Sequence, residues 1–215
     1  MPGRLLLLRH AQSVWNEVGF WQGWADPPLS AVGKQQIRQA AARLAGQPPF
    51  ELVVSSDLSR ARRTAELLLE ALGVTACPSL EPGLREYDVG AWSGHTREEI
   101  EAGWPGEIAR FSSNEMVAPP GGEDRAAFDA RVVAAGARVA QAAERAGADR
   151  VLVVAHGGVV RALARAVGQP DHRIGHLAGY WGSCRAGGLF PEHPVNLLDG
   201  EIVADAGEGT AVSNP

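Results

Sequence analysis

Two histidines in this 215-residue chain close short apolar runs, and both sit beside residues suited to holding an anion. Arg9-His10 follows Leu5–Leu8, and His156-Gly157-Gly158 follows Val151–Val154. A third run, Leu52–Val54, leads into Ser55-Ser56-Asp57-Leu58-Ser59-Arg60. Apolar runs this short read as buried strands, and in open α/β sheets ligands gather outside the carboxyl ends of strands. Three strand ends thus bring two histidines and at least two arginines to one edge. Phosphate fits such a cluster, because guanidinium groups bind it through paired, charge-assisted hydrogen bonds. Singly, each residue is ordinary: a histidine at a strand end is more often structural, and an arginine in a first helical turn is usually a solvated charge. The coincidence at three separate junctions is what points to chemistry.

The elements that must position these residues alternate. Arg4–Leu8 is a predicted strand, and Ser30 caps a helix with Ile37, Ala41 and Leu44 at helical spacing. After the second strand comes a helix from about Leu58 to Leu72, stopped by Gly73. Thr96 and Glu99 form a capping-box pattern, Ala126–Ala146 is a long helix, and the helix after the third strand ends near Gly168 and Pro170. This order predicts an α/β three-layer sandwich with a mostly parallel, covered sheet and helices on both faces. Between about residues 84 and 123 the rhythm breaks, and that stretch reads as an inserted cap over the carboxyl ends of the strands. From Gly179 the chain is glycine-rich and aperiodic, apart from a hairpin expected at Asp199-Gly200 between Val195–Leu198 and Ile202–Ala204, and Gly207–Pro215 reads as a loose tail. The whole, 1–215, reads as one domain with an irregular end over 179–215, which is expected to lie over the mouth of the site.

Composition excludes other classes. Hydrophobic residues make up 45% and charged residues 21% of the chain, ordinary values that rule out disordered, collagen-like and disulfide-scaffold proteins. A net charge of -5 argues against a general nucleic-acid binder. Cys77 and Cys184 stand far apart and outside metal-ligand spacing, so no metal and no disulfide is expected. The apolar run Leu5–Leu8 is too short for a secretory signal or a membrane span, and the expected location is the cytoplasm.

Four blocks of this sequence resemble the histidine phosphatase superfamily, the phosphoglycerate mutase-like proteins. They are Leu8-Arg9-His10-Ala11-Gln12-Ser13 with Trp15-Asn16, Gln22-Gly23, Asp26 and Pro28-Leu29-Ser30; Ser55-Ser56-Asp57-Leu58 with Arg60-Ala61 and Thr64-Ala65; Leu84-Arg85-Glu86 with Gly90, Trp92 and Gly94; and Val153-Val154-Ala155-His156-Gly157-Gly158. They appear in order from about Leu5 to Leu163. The resemblance implies that His10 takes the phosphoryl group as a covalent phosphohistidine. Arg9, Arg60 and a protonated His156 would surround the phosphoryl oxygens. Glu86, which in isolation reads as a solvated loop charge, would protonate the leaving alkoxide and then activate water. Ser13, Asn16, Gln22, Gly23 and Gly157 would line the phosphate pocket. Trp15, Trp21, Trp24 and Trp92 divide between an aromatic rim and core packing. No metal or other cofactor is implied. The implied partner is a small phosphorylated metabolite, with neither nucleic acid nor membrane, and relatives often form homodimers.

The chain departs from the family pattern at three places. Ala11 replaces the glycine usual after the catalytic histidine, Phe20 stands where many relatives carry an arginine, and Arg63 replaces a glutamine common in the second block. Arg63 either restores positive charge at the site or faces solvent. Glycolytic mutases resemble this chain but carry paired arginines in the insertion, whereas Trp104–Gly122 offers only Arg110. Pro119-Pro120-Gly121-Gly122-Glu123 instead resembles the phosphatase branch. Both features favour hydrolysis of a small phosphate monoester over a mutase reaction. A phosphoprotein phosphatase and a non-catalytic phosphate sensor are the remaining alternatives. Loss of distal cations predicts a substrate with few further negative charges.

Overall fold

The computed structural model describes residues 3–113 and 118–198. β1 (Gly3–Arg9) leads through the short helix α1 (Val14–Glu17) to α2 (Ala31–Leu44), capped by the Ser30 hydroxyl, which accepts from Gly33 N–H. β2 (Leu52–Ser55) and α3 (Ser59–Ala71) follow, then the two-residue β3 (Ser79–Leu80). The insertion holds 3₁₀ turns at Pro82–Leu84 and Gly90–Trp92, α4 (Arg97–Gly103) with the expected Thr96/Glu99 capping box, and α5 (Glu107–Ser112). α6 (Arg125–Ala146), β4 (Arg150–Ala155) and α7 (Gly157–Ala166) return to the sandwich, and β5 (Ala178–Arg185) and β6 (Gly188–Asn196) complete it.

Among the described residues six strands form one sheet in the order β3-β2-β4-β1-β5-β6. β1, β2, β3 and β4 run parallel, while β5 and β6 add an antiparallel edge. Leu5–Leu8 are all fully buried, yet the pleat sends them to opposite faces. Leu5 and Leu7 pack with α6 and α7, whereas Leu6 and Leu8 pack with α2 and α3. Helices on both faces of a covered sheet are the predicted α/β sandwich. The insertion contributes Glu86, Tyr87, Val89 and Phe111 to the wall of a cavity at the carboxyl ends of β1, β2 and β4, as a cap would.

The C-terminal expectation was wrong for the residues that can be followed. Residues 178–196 are a regular antiparallel hairpin turning at Ala186-Gly187, and none of them lines the cavity. Two physical features hide it in sequence. β5 lacks clean alternation because both faces are partly covered, and β6 carries Pro191 and Pro194, which an edge strand tolerates since one side needs no donor. The hairpin expected at Asp199-Gly200 and the tail Gly207–Pro215 lie outside the described residues, although Val195 and Asn196 belong to β6. Cys184 is buried and Cys77 exposed, both as free thiols. No helix among the described residues is long and apolar enough to cross a membrane.

Candidate active site

The register of the two central strands brings the histidines together. Arg9 pairs with Ala155, and His10 N–H donates to the Ala155 carbonyl at 2.9 Å, so the next residues on both strands emerge side by side. The His10 and His156 ring centroids lie 5.1 Å apart, edge to face. His10 Nδ1 lies 2.6 Å from the Ala11 carbonyl. A carbonyl only accepts, so Nδ1 carries the proton and the lone pair is on Nε2. Burial, reinforced by Arg60 and Arg9, holds His10 well below the usual histidine range. The ring is therefore neutral, with an unprotonated nitrogen available as a nucleophile. His156 is fully buried, and Ser56 Oγ lies 2.9 Å from its Nε2. Burial, then Arg60 and His10, push His156 down as well, so the expected protonated His156 is not the resting form. Protonation there would need the negative charge of a bound phosphate.

Two arginines flank the imidazoles. Arg60 enters from the first turn of α3 and is 1% exposed. It donates to the Ala25 and Gly23 carbonyls at 2.7 and 2.8 Å, and its buried Nε has no partner. Arg9 donates to the Ile174 carbonyl at 2.8 Å. Burial brings both guanidinium groups down to about 10, which leaves them cationic at neutral pH. Glu86 faces the same cavity. Its carboxylate accepts from its neighbour Tyr87 N–H at 2.9 Å and from Gly158 N–H in the first turn of α7 at 3.1 Å. The arrangement supplies one unprotonated nitrogen, fixed positive charge and one carboxylate around a single cavity of about 910 Å³.

The remaining predicted residues divide. Asn16, Gln22 and Gly23 line the cavity. Ser13 does not; it is fully buried behind it, with Oγ 3.0 Å from both Asn16 Oδ1 and Gln22 Oε1. With those oxygens engaged, both amides have their N–H2 groups left for a ligand. Gly157 packs against the Arg9 side chain, and its neighbour Gly158 is the one that lines the cavity. His156 also stands behind the lining residues rather than among them. Of the four tryptophans, Trp21 lines the cavity and Trp92 is core, fully buried against Trp21 and Phe111. Trp15 packs on Phe20, and Trp24 donates to the Glu86 carbonyl at 2.8 Å.

Comparison with known proteins settles the family. A model of the histidine phosphatase superfamily (branch 1) matches residues 5–184. A 2,3-bisphosphoglycerate-dependent phosphoglycerate mutase of Methylobacterium sp. (strain 4-46) is 38% identical over 76% of this chain and 79% of its own. A glucosyl-3-phosphoglycerate phosphatase of Mycolicibacterium vanbaalenii is 39% identical over 76% of this chain and 73% of its own. The solved mycobacterial glucosyl-3-phosphoglycerate phosphatase complexed with VO3 superposes with a TM-score of 0.70 at 34% identity, covering 84% of this chain and 90% of that one. This chain belongs to the histidine phosphatase superfamily.

Within that superfamily its departures have a physical outcome. The Ala11 methyl is fully buried in the core on the α2/α3 side, outside the cavity, so the extra carbon is absorbed by packing. Phe20 lines the cavity as an apolar wall. Arg63 faces solvent, paired with Glu66 one turn along α3, and restores no charge to the site.

The expected poverty of distal cations is overturned. Arg97, Arg125, Arg161, Arg165 and Arg173 all line the cavity, supplied by α4, α6, α7 and the loop that follows, with Arg161 and Arg165 paired to Asp171 and Asp129. The composition of the insertion does not reveal them, because most come from outside it. A second missed group supports Glu86. Arg131 of α6 pairs bidentately with Glu123, at 2.8 and 2.6 Å, and donates to the Gly83 and Arg85 carbonyls at 2.9 and 3.0 Å. Glu123, the last residue of the Pro-Pro-Gly-Gly-Glu run, thus anchors the clamp on the Glu86 loop.

Proposed function

We propose that this histidine phosphatase superfamily member is a metal-independent phosphatase of small phosphate monoesters, acting through a phosphohistidine on His10. The observation that carries this reading is the His10 Nδ1–Ala11 hydrogen bond of 2.6 Å, which leaves the Nε2 lone pair for the phosphorus atom beside Arg9 and Arg60. Nε2 attacks phosphorus, the bond to the ester oxygen breaks, and Glu86, which carries a proton when the substrate is bound, gives it to the departing alkoxide. Water then attacks phosphorus, Glu86 takes its proton, and the P–N bond breaks, returning the electron pair to Nε2 and releasing phosphate. Arg9 and Arg60 are already oriented by backbone carbonyls, so they stabilise the transition-state charge with little reorganisation. Asn16 and Gln22 donate to the phosphoryl oxygens.

The arginines around the cavity favour a substrate whose alcohol part carries a further anionic group, and the relatives named for glucosyl-3-phosphoglycerate fit that description. The same arginines, with the Methylobacterium likeness, keep a phosphoglycerate mutase reaction as the second reading.

Phosphate release from an aryl phosphate in EDTA, by wild type and His10→Ala, tests the proposal. Turnover that disappears in the variant supports it. Absence of turnover, together with interconversion of phosphoglycerates in the presence of their bisphosphate, replaces it with the mutase reading.

A further inference from the structure

The mechanism leaves a third imidazole unused. His176, in the connection between α7 and β5, lines the same cavity, and its ring centroid lies 6.0 Å from that of His10. Its Nε2 is buried with no hydrogen-bond partner. Buried polar atoms are nearly always satisfied, so an unpaired one on a ring at a cavity wall calls for a physical reason.

The backbone around His176 is held under strain. Leu177 has φ 51°, the one positive φ outside glycine among the described residues. A leucine adopts that conformation only where the surroundings over-determine it, and here they do. Leu177 N–H donates to the Arg9 carbonyl at 3.1 Å, the Leu177 carbonyl accepts from Leu197 at 3.1 Å, and Arg9 in turn donates through its side chain to the Ile174 carbonyl. The Leu177 side chain is fully buried. The backbone on either side of His176 is therefore tied to the same arginine that flanks the nucleophile. Burial, then Arg9 and Arg173, pull its imidazole down to about 3, so the ring is neutral at working pH and carries one proton to donate.

We propose that His176 is a phosphate-binding residue, donating a ring N–H to an oxygen of the phosphoryl group held by Arg9 and His10. This inference rests on the phosphatase reading of the cavity. No bond is made or broken at His176, and its contribution is to binding the phosphoryl group in ground and transition states.

Vanadate, a phosphate mimic, is the probe, titrated as an inhibitor and as a ligand against wild type, His176→Phe and His176→Asn. Phenylalanine keeps the ring volume and removes the donor, and asparagine keeps an N–H donor. Loss of a hydrogen bond to a charged oxygen predicts that the phenylalanine variant binds vanadate about 10- to 100-fold more weakly. The asparagine variant is expected to retain most of the affinity, at an unchanged melting temperature. Unchanged vanadate affinity in His176→Phe, or equal losses in both variants, overturns the inference and leaves the phosphatase reading intact. Wild type that binds no vanadate overturns both.

Discussion

Gly158 and Glu86 are matched to each other across the site. The Gly158 N–H donates to one carboxylate oxygen at 3.1 Å, and a Cβ built on Gly158 would stand 2.3 Å from the other. A glycine therefore both fixes and makes room for the proposed acid-base group. Gly158→Ala is expected to displace the carboxylate and lower kcat with aryl phosphate about 100-fold, within the range for a general acid-base catalyst. Because the flexible carboxylate can yield, the melting temperature should change little. Unchanged kcat in a folded Gly158→Ala protein would show that Glu86 moves no proton.

Arg131 acts on the same group from a distance. It joins Glu123 to the carbonyls of Gly83 and Arg85, and the Tyr87 hydroxyl donates to the Glu123 carbonyl at 2.5 Å. Removing one partner of a largely buried bidentate pair leaves the other poorly satisfied. Arg131→Ala is expected to cost about 2 kcal/mol of stability, or about 4–8 °C in a domain of this size. It should also lower kcat more than it raises KM, since it loosens the loop that carries Glu86. A kcat loss without any stability loss would place Arg131 in direct contact with substrate instead.

Legibility in the sequence followed physical range. Leu5–Leu8, Leu52–Val54 and Val151–Val154 were readable because each run is apolar on both faces, as a covered parallel strand must be. His10, Arg9, Arg60, Glu86, Asn16 and Gln22 were legible through the family motifs, and they do meet at one cavity. What short-range reading could not supply was side-chain direction. Ser13, Gly157 and His156 lie within two residues of a lining residue in sequence but stand behind the lining in space. Arg131, Arg97, Arg173 and His176 reach the site or its support through tertiary packing, with no local pattern to announce them. β5 and β6 escaped because an edge hairpin with prolines and partly covered faces lacks the two-residue period.

Arg97 and Arg173 enter the cavity from opposite sides of the chain's order, one on α4 and one beyond α7. A cation beside a substrate carboxylate contributes to binding that an uncharged aryl group cannot use. The double variant Arg97→Ala/Arg173→Ala is expected to lose about tenfold or more in kcat/KM toward a carboxylated phosphate monoester, the equivalent of one modest charge-assisted hydrogen bond. Its kcat/KM toward a plain aryl phosphate should fall less. Equal losses on the two substrates would mean that these arginines serve only the reacting phosphate.

The buried imidazoles give stability a pH dependence of definite sign. His10 and His156 are held well below the ordinary value of 6.5, and His176 is brought down to about 3, in each case chiefly by burial. The unfolded chain takes up these protons near pH 6.5 and the folded chain does not, so the contribution is fully present above pH 6.5 and is lost as pH falls below it. Each fully buried ring contributes up to about 1.4 kcal/mol per pH unit in that window. The carboxylates of Asp57 and Glu81 are lowered from 3.8 and 4.5 by Arg85 and Arg138, so their losses come at lower pH and do not confuse the range between 6.5 and 5. In phosphate-free buffer the melting temperature should fall steadily from pH 6.5 to 5. Added phosphate or vanadate should restore it, because a ligand that binds only the folded site stabilises by mass action and brings negative charge beside the rings. His156→Gln should flatten the slope. A melting temperature that holds between pH 7 and 5 without phosphate would mean that these histidines are already protonated in the folded protein, and would remove His10 as a ready nucleophile.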